Sequence, residues 1–208
     1  MSNDVTLIIG TKRYSSWSLR PWLAARMAGL TVNERLIDLR QPDTKANILA
    51  YSPSGKVPCL IHDGVTVWDS LAICEYLAET FPAAGLWPDD RDARAVARAV
   101  SAEMHSGFVG LRNVCSMDMC AHTPLTDIPA DVAADVARIN AVWEDCRARF
   151  GAGGDFLFGR FSIADAMYAP VVSRFTTFDL PTGVVGRAYC QAIWALPAMA
   201  EWRDASKG

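Results

Sequence analysis

What this 208-residue chain lacks narrows it quickly. No apolar run approaches the ~20 residues of a membrane-spanning helix, which excludes a helical span and a membrane partner. Positive charge is not in surplus: 20 Lys and Arg stand against 23 Asp and Glu, a formal net of −3. That balance offers no field for nucleic acid or an anionic surface. The first residues, Met1 to Gly10, have no basic start and no cleavage-like site, so they do not read as a secretory signal. No CxxC pair occurs among the six cysteines, Cys59, Cys74, Cys115, Cys120, Cys146 and Cys190. Without an export signal they read as free thiols in a reducing, cytoplasmic setting. Cys115, Cys120 and His122 match no common zinc spacing and have no second pair, so no metal is expected. Repeats and low-complexity tracts are absent, and 51% hydrophobic residues exclude wholesale disorder.

What is present divides unevenly along the chain. Residues 1–80 hold 8 basic and 8 acidic side chains, whereas residues 81–208 hold 12 and 15 with a single lysine, Lys207. The first part carries short β-rich runs between turns; the rest is Ala- and Arg-rich at helical spacing. Phe81-Pro82-Ala83-Ala84-Gly85-Leu86-Trp87-Pro88 between them reads as an ordered, non-helical connection. The expected division is therefore 1–80, a linker at 81–91, and 92–208.

Val5 to Gly10 reads as a buried strand and Val32 to Leu39 as a second. The helix between them ends at Gly29, and Pro21, tolerable in a first turn, puts its start near Ser18. Thr44 to Ala50 reads as a short helix. Val57 to His62 and Val65 to Trp68 flank Asp63-Gly64, a strong hairpin signal. Asp69 and Ser70 then cap a helix over Leu71 to Thr80. The order is βαβαββα, a mixed four-stranded sheet with helices on its faces. Helical runs at about 91–118, 131–150, 162–175 and 184–195 make the second part a helix bundle, so the class is α+β in two domains.

Three features carry chemistry. Pro58 cannot donate to a ladder, so Val57-Pro58 is either an ordinary trans proline at a strand start or a cis bond. The cis form leaves the N–H and C=O of Val57 at the sheet edge, where an extended peptide can pair. Asp69-Ser70 is either a plain helix cap or a site for the α-amino-acid end of a ligand. In that second reading, hydroxyl and N–H groups meet the carboxylate and Asp meets the ammonium. The loop Tyr14-Ser15-Ser16-Trp17-Ser18 brings hydroxyls to a helix N-terminus, where they serve as caps or stabilise a thiolate.

With those features in place the sequence resembles the cytosolic glutathione transferases. The resemblance rests on Ser52-Pro53-Ser54-Gly55-Lys56-Val57-Pro58-Cys59-Leu60, Trp68-Asp69-Ser70-Leu71-Ala72-Ile73-Cys74-Glu75-Tyr76-Leu77 and Phe161-Ser162-Ile163-Ala164-Asp165-Ala166. The last looks like the family's capping box, with Ser162 capping a buried helix and Asp165 reaching back to it. The resemblance implies a thioredoxin-like domain followed by an all-helical one, a homodimer, and a role in detoxification. It implies that Val57 pairs its backbone with the cysteinyl part of glutathione, that Pro58 is cis, and that Asp69 and Ser70 hold the γ-glutamyl end. Lys56 is placed to meet a glutathione carboxylate. Asp69 stands where many relatives have Glu.

Ser15-Ser16-Trp17-Ser18-Leu19-Arg20 resembles the zeta-class pattern Ser-Ser-Cys-x-x-Arg, with Trp17 in place of the cysteine. By that alignment Ser15 activates the thiol; loop position alone leaves Ser16, Tyr14 and Ser18 open. A free thiol with a pKa of ~8.5 is only slightly ionised at neutral pH. Lowering it by ~2 units, about 2.7 kcal/mol, makes the sulfur mostly thiolate. The absence of Cys at positions 15–18 argues against relatives that use a protein thiol. Met104, His105, Phe108, Arg112, Met167 and Arg174 are candidates to line an electrophile site, although Met and aromatic residues at helical spacing also suit plain core. Arg112 and Arg174 suit a carboxylate-bearing substrate. The implied function is conjugation of glutathione to a small electrophile. A glutathione-dependent cis–trans isomerase of a maleyl-type acid and a non-catalytic glutathione-binding module are the alternatives.

Overall fold

In the first segment, alternating side chains separate two cores. The computed structural model describes residues 3–207, so Met1, Ser2 and Gly208, the outermost residues of the leader reading and of the two expected domains, lie outside it. Strand β1 (Asp4–Gly10) sends Val5, Leu7 and Ile9 into the main hydrophobic core and Ile8 into a smaller cluster with Ile37, Ile48 and Cys59. Helix α1 (Ser16–Met27) crosses to β2 (Thr31–Ile37), which pairs parallel with β1. Helix α2 (Thr44–Leu49) contributes Ile48 to the smaller cluster. The hairpin β3 (Cys59–His62) and β4 (Val65–Trp68) completes a sheet of order β2-β1-β3-β4, with β3 antiparallel to both neighbours. Helix α3 (Ser70–Thr80) packs beside α1 over the main core. This is the expected βαβαββα order.

After a 3-10 turn at Pro82–Ala84, the helices are α4 (Arg91–Ser106), α5 (Val109–Val114), α6 (Ala130–Phe150), α7 (Ile163–Phe178), α8 (Val184–Trp194) and α9 (Pro197–Asp204). Helix α7 is buried along nearly its whole length and packs against α1 and α4. Its start is held by the box read from the sequence: the Asp165 carboxylate accepts from the backbone N–H of Ser162 at 2.8 Å and from its hydroxyl at 3.0 Å. The same carboxylate accepts from the N–H of Leu157 at 3.1 Å, tying the incoming loop to the helix.

Several boundaries differ from the sequence reading, each for a local reason. Helix α1 begins at Ser16, because Ser15 and not Ser18 is its N-cap. Pro21 therefore stands in the second turn, where it removes a helical N–H. Strand β3 begins at Cys59, after Pro58, which cannot join the ladder. The run expected over 91–118 is broken at Gly107 and Phe108. A Cβ on Gly107 would stand 2.7 Å from the carbonyl oxygen of Glu103, and Phe108 adopts a left-handed φ of 56°. Residues 115–129 form no helix; the N–H groups of Thr123 and Leu125 bond instead to Thr177 and Phe178 at the end of α7. Helix α9 was not expected from sequence. Pro197 at its first position is the start signal, and Trp202 fixes it by donating to the carbonyl of Lys12 at 2.9 Å.

Candidate active site

The amino end of β3, the carboxyl end of β4 and the amino ends of α1 and α3 meet at a cavity of about 700 Å³. Its wall includes Trp17, Lys56, Val57, Pro58, Trp68, Asp69 and Ser70. The five residues assigned from sequence to glutathione thus share one cavity. The Val57–Pro58 peptide is cis. Lys56 is exposed, and Ser70 is buried as the first residue of α3.

Asp69 adopts φ 75° and ψ 133° at the N-cap of α3, outside the left-handed helical well, a strained backbone of the kind found at ligand sites. Its Oδ1 accepts from the N–H groups of Leu71 at 2.9 Å and Ala72 at 3.3 Å. Its Oδ2 lies 3.1 Å from Nε2 of His105 on α4. Capping and site chemistry are therefore divided between the two oxygens of one carboxylate. His105 is held below the usual histidine value, chiefly by burial and further by Arg20 and Arg112, with Asp69 opposing. The neutral ring donates from Nε2 to Asp69, and Nδ1 is buried without a partner.

Trp17 organises the side of the cavity that faces the helical part. The Arg20 guanidinium lies 4.1 Å from its ring centroid and that of Arg112 5.2 Å, while the His105 ring meets it edge-on at 5.3 Å. Arg20 is fully buried, bonds to the Ser70 hydroxyl at 3.5 Å, and keeps an unpartnered Nε. Burial, with repulsion from Arg174 and Arg112, lowers Arg20 to about 9; burial and Arg112 lower Arg174 to about 10. Both values leave the two groups cationic at neutral pH. Arg112 donates to the carbonyls of Met104 and His105 at 2.6 and 2.8 Å. Three guanidinium groups thus gather at the N-terminal end of α1, an arrangement that favours an anion.

The loop serines flank Trp17 in sequence and are not among the residues that line the cavity. Ser15 and Ser16 are both buried, and Arg174 of α7 reaches Ser16. Met104, Phe108 and Met167 are buried members of the main core. The sequence reading passed over Trp17 and Arg20 as site residues. Arg20 did carry a signal: Ser16, Trp17, Leu23 and Ala24, its neighbours one turn either way, include no acid to pair with it. Elsewhere Cys115 lies buried, its carbonyl taken by Arg174, and His122 pairs with Asp179 at 3.0 Å.

Two family models match the chain: "Glutathione S-transferase, N-terminal domain" over residues 14–80 and "Glutathione S-transferase, C-terminal domain" over residues 129–205. Among curated proteins, the chain is 36% identical over 115 residues to the "Probable maleylacetoacetate isomerase" of Caenorhabditis elegans, a stretch covering 55% of this chain and 53% of that protein. It is 27% identical over 183 residues to glutathione S-transferase L3 of Arabidopsis thaliana, covering 85% and 72% respectively. The matched stretch thus spans only about half of the nematode relative. Among solved structures, a glutathione transferase homolog from Burkholderia with bound glutathione superposes with a TM-score of 0.74 over 98% of each chain at 24% identity. Glutathione transferase Omega 3C from Trametes versicolor gives 0.71 at 20% identity over 96% of this chain and 88% of its own. At these identities the superpositions speak for the fold.

Proposed function

The chain belongs to the glutathione S-transferase family, and from that premise we propose that it binds glutathione and activates its sulfur as a thiolate for attack on a small electrophile. One observation carries the reading: Lys56, Val57, Pro58, Asp69 and Ser70 line a single cavity at the helix N-termini. The backbone of Val57 pairs with the cysteinyl unit. Ser70 and the first N–H groups of α3 meet the γ-glutamyl carboxylate, and Asp69 meets the ammonium. Lys56 takes the other carboxylate. A hydroxyl of the loop, Ser15 or Ser16, donates to the sulfur. One charge-assisted hydrogen bond and the dipole of α1 together supply the ~2.7 kcal/mol that a ~2-unit drop in thiol pKa requires. The electrophile enters beside Trp17, His105 and Arg112; Met104 and Phe108 back that wall from the core.

The experiment is retention on immobilised glutathione followed by conjugation of an aryl halide. Binding without turnover, unchanged in Ser15→Ala and Ser16→Ala, would favour a non-catalytic binding module. A second reading has its own support: the guanidinium of Arg112, whose Nε has no partner among the described residues, suits a carboxylate-bearing substrate, whereas Arg174 is turned to Ser16, Cys115 and Pro170, and one relative is named a probable maleylacetoacetate isomerase. Glutathione-dependent isomerisation of a maleyl-type acid tests that reading.

The remaining parts of the proposal are coarser. The division into residues 1–80 and 92–208 with a linker at 81–91 is supported by the 3-10 turn at Pro82–Ala84. A homodimer is supported by exposed Val65 and Trp68 on the edge strand β4. A cytoplasmic setting is supported by six free cysteines, and disposal of reactive electrophiles is the role that fits the chemistry. Among the described residues no helix is long and apolar enough to cross a membrane.

A further inference from the structure

The two serines at the start of α1 are bonded differently, and the difference assigns them separate tasks. Ser15 is consumed by the fold. Its Oγ accepts from the Ser18 N–H at 3.4 Å and donates its proton to Ser18 Oγ at 2.7 Å. Ser18 Oγ in turn accepts from the N–H of Gly10 at 3.1 Å, so the chain of hydroxyls ties the end of β1 to the first turn of α1. A hydroxyl has one proton to give, and that of Ser15 is spent.

Ser16 is the reverse case. Among the described residues its hydroxyl makes one hydrogen bond, accepted from Nη2 of Arg174 at 3.3 Å. Its proton is uncommitted. Arg174 is itself pinned, donating from Nε to the carbonyl of Cys115 at 2.9 Å and from Nη1 to that of Pro170 at 3.2 Å. A buried cation locked on two carbonyls therefore holds the oxygen of Ser16 in place. By occupying a lone pair it also makes the O–H a stronger donor. Ser16 adjoins Trp17, which lines the cavity.

We propose that Ser16, rather than Ser15, is the hydroxyl that donates to the glutathione sulfur, and that Arg174 is its positioning residue, supplied by the helical part of the chain. The proposal rests on the glutathione reading above and deepens it. The balance is simple: the S–H bond breaks, its proton leaves to water, and the thiolate accepts the hydrogen bond from Ser16 without any transfer to protein. Arg174 then acts through Ser16 on the sulfur and makes the thiolate site depend on the helices being docked.

The test is a pH titration of the ultraviolet absorbance of the bound thiolate, with glutathione affinity measured alongside by calorimetry. Ser16→Ala is expected to raise the pKa of the bound thiol by about one unit, a tenfold loss of thiolate near neutrality. Affinity for glutathione below that pKa should change less than about threefold, a split that a merely structural role would not produce. Arg174→Gln should move the thiol pKa in the same direction, and Arg174→Lys should restore part of the shift. Adding Arg174→Gln to Ser16→Ala should then move it little further. Should Arg174→Gln fail to fold, the serine pair decides alone. Ser15→Ala should lower the melting temperature and move the thiol pKa by less than a third of the Ser16 shift. A large shift in Ser15→Ala with none in Ser16→Ala would overturn this assignment and leave glutathione activation standing. A wild-type protein that fails to bind glutathione would overturn the underlying reading and this one together.

Discussion

Asp69 carries two duties on one side chain, and substitutions can separate them. Asp69→Asn keeps an acceptor for the N–H groups of Leu71 and Ala72 and nearly the same side-chain shape, but removes the charge. We expect glutathione affinity to fall about tenfold, the loss of one charged hydrogen bond, with little change in melting temperature. Asp69→Ala should lose the cap as well, costing a further ~1 kcal/mol in urea unfolding. Arg20 offers a second test. It is a buried cation whose bonding partners are neutral, so Arg20→Met should cost little stability, within about 1.5 kcal/mol by urea unfolding. The same change should weaken thiolate formation, because one positive charge leaves the end of α1.

At the level of the element, α7 and α9 show what a helix needs beyond periodicity. Burial raises the Asp165 carboxyl to about 6, against the hydrogen bonds from Leu157 and Ser162 that favour its ionised form. The folded state therefore holds this proton more tightly than the unfolded chain does. Its contribution to stability is greatest below about pH 4 and declines as pH rises to about 6. Relative to Asp165→Asn, which does not titrate, the wild type should lose about 1 to 3 kcal/mol of stability between pH 4 and 7, read by urea unfolding at both ends. A gain over that range would contradict the assignment. Trp202 is fully buried against Trp22 at 5.0 Å between centroids. Trp202→Ala should cost about 3–5 kcal/mol in the same assay. The element order and the Ser162 box were legible because short apolar runs, Asp63-Gly64 and Ser-x-x-Asp are local signals. Helix α9 and the break at Phe108 were not, since a buried indole depends on what packs there and a left-handed φ at Phe108 is not encoded by its side chain.

For the whole molecule, one hydrophobic core runs from Val5 of β1 through α1 and α7 to Trp202 of α9. Unfolding should follow it: calorimetric and van't Hoff enthalpies are expected to agree, and two separated transitions would show that the parts melt independently. The same continuity explains which half of the site could be read. Lys56, Val57, Pro58, Asp69 and Ser70 lie close in sequence, at the two ends of the β3–β4 hairpin, and their coming together was legible from motifs. Arg174 and Ser16 stand 158 positions apart, and His105 meets Asp69 only because α4 docks beside α3. No spacing rule encodes such pairs; they arise from packing. The chain holds seven tryptophans; two of them, Trp17 and Trp68, line the cavity, and Trp17 stands beside two guanidinium groups. An indole in so strong a local field makes that wall an optical gauge. An anion arriving there changes the field on the ring, so the colour and brightness of its emission should report occupancy without any added dye.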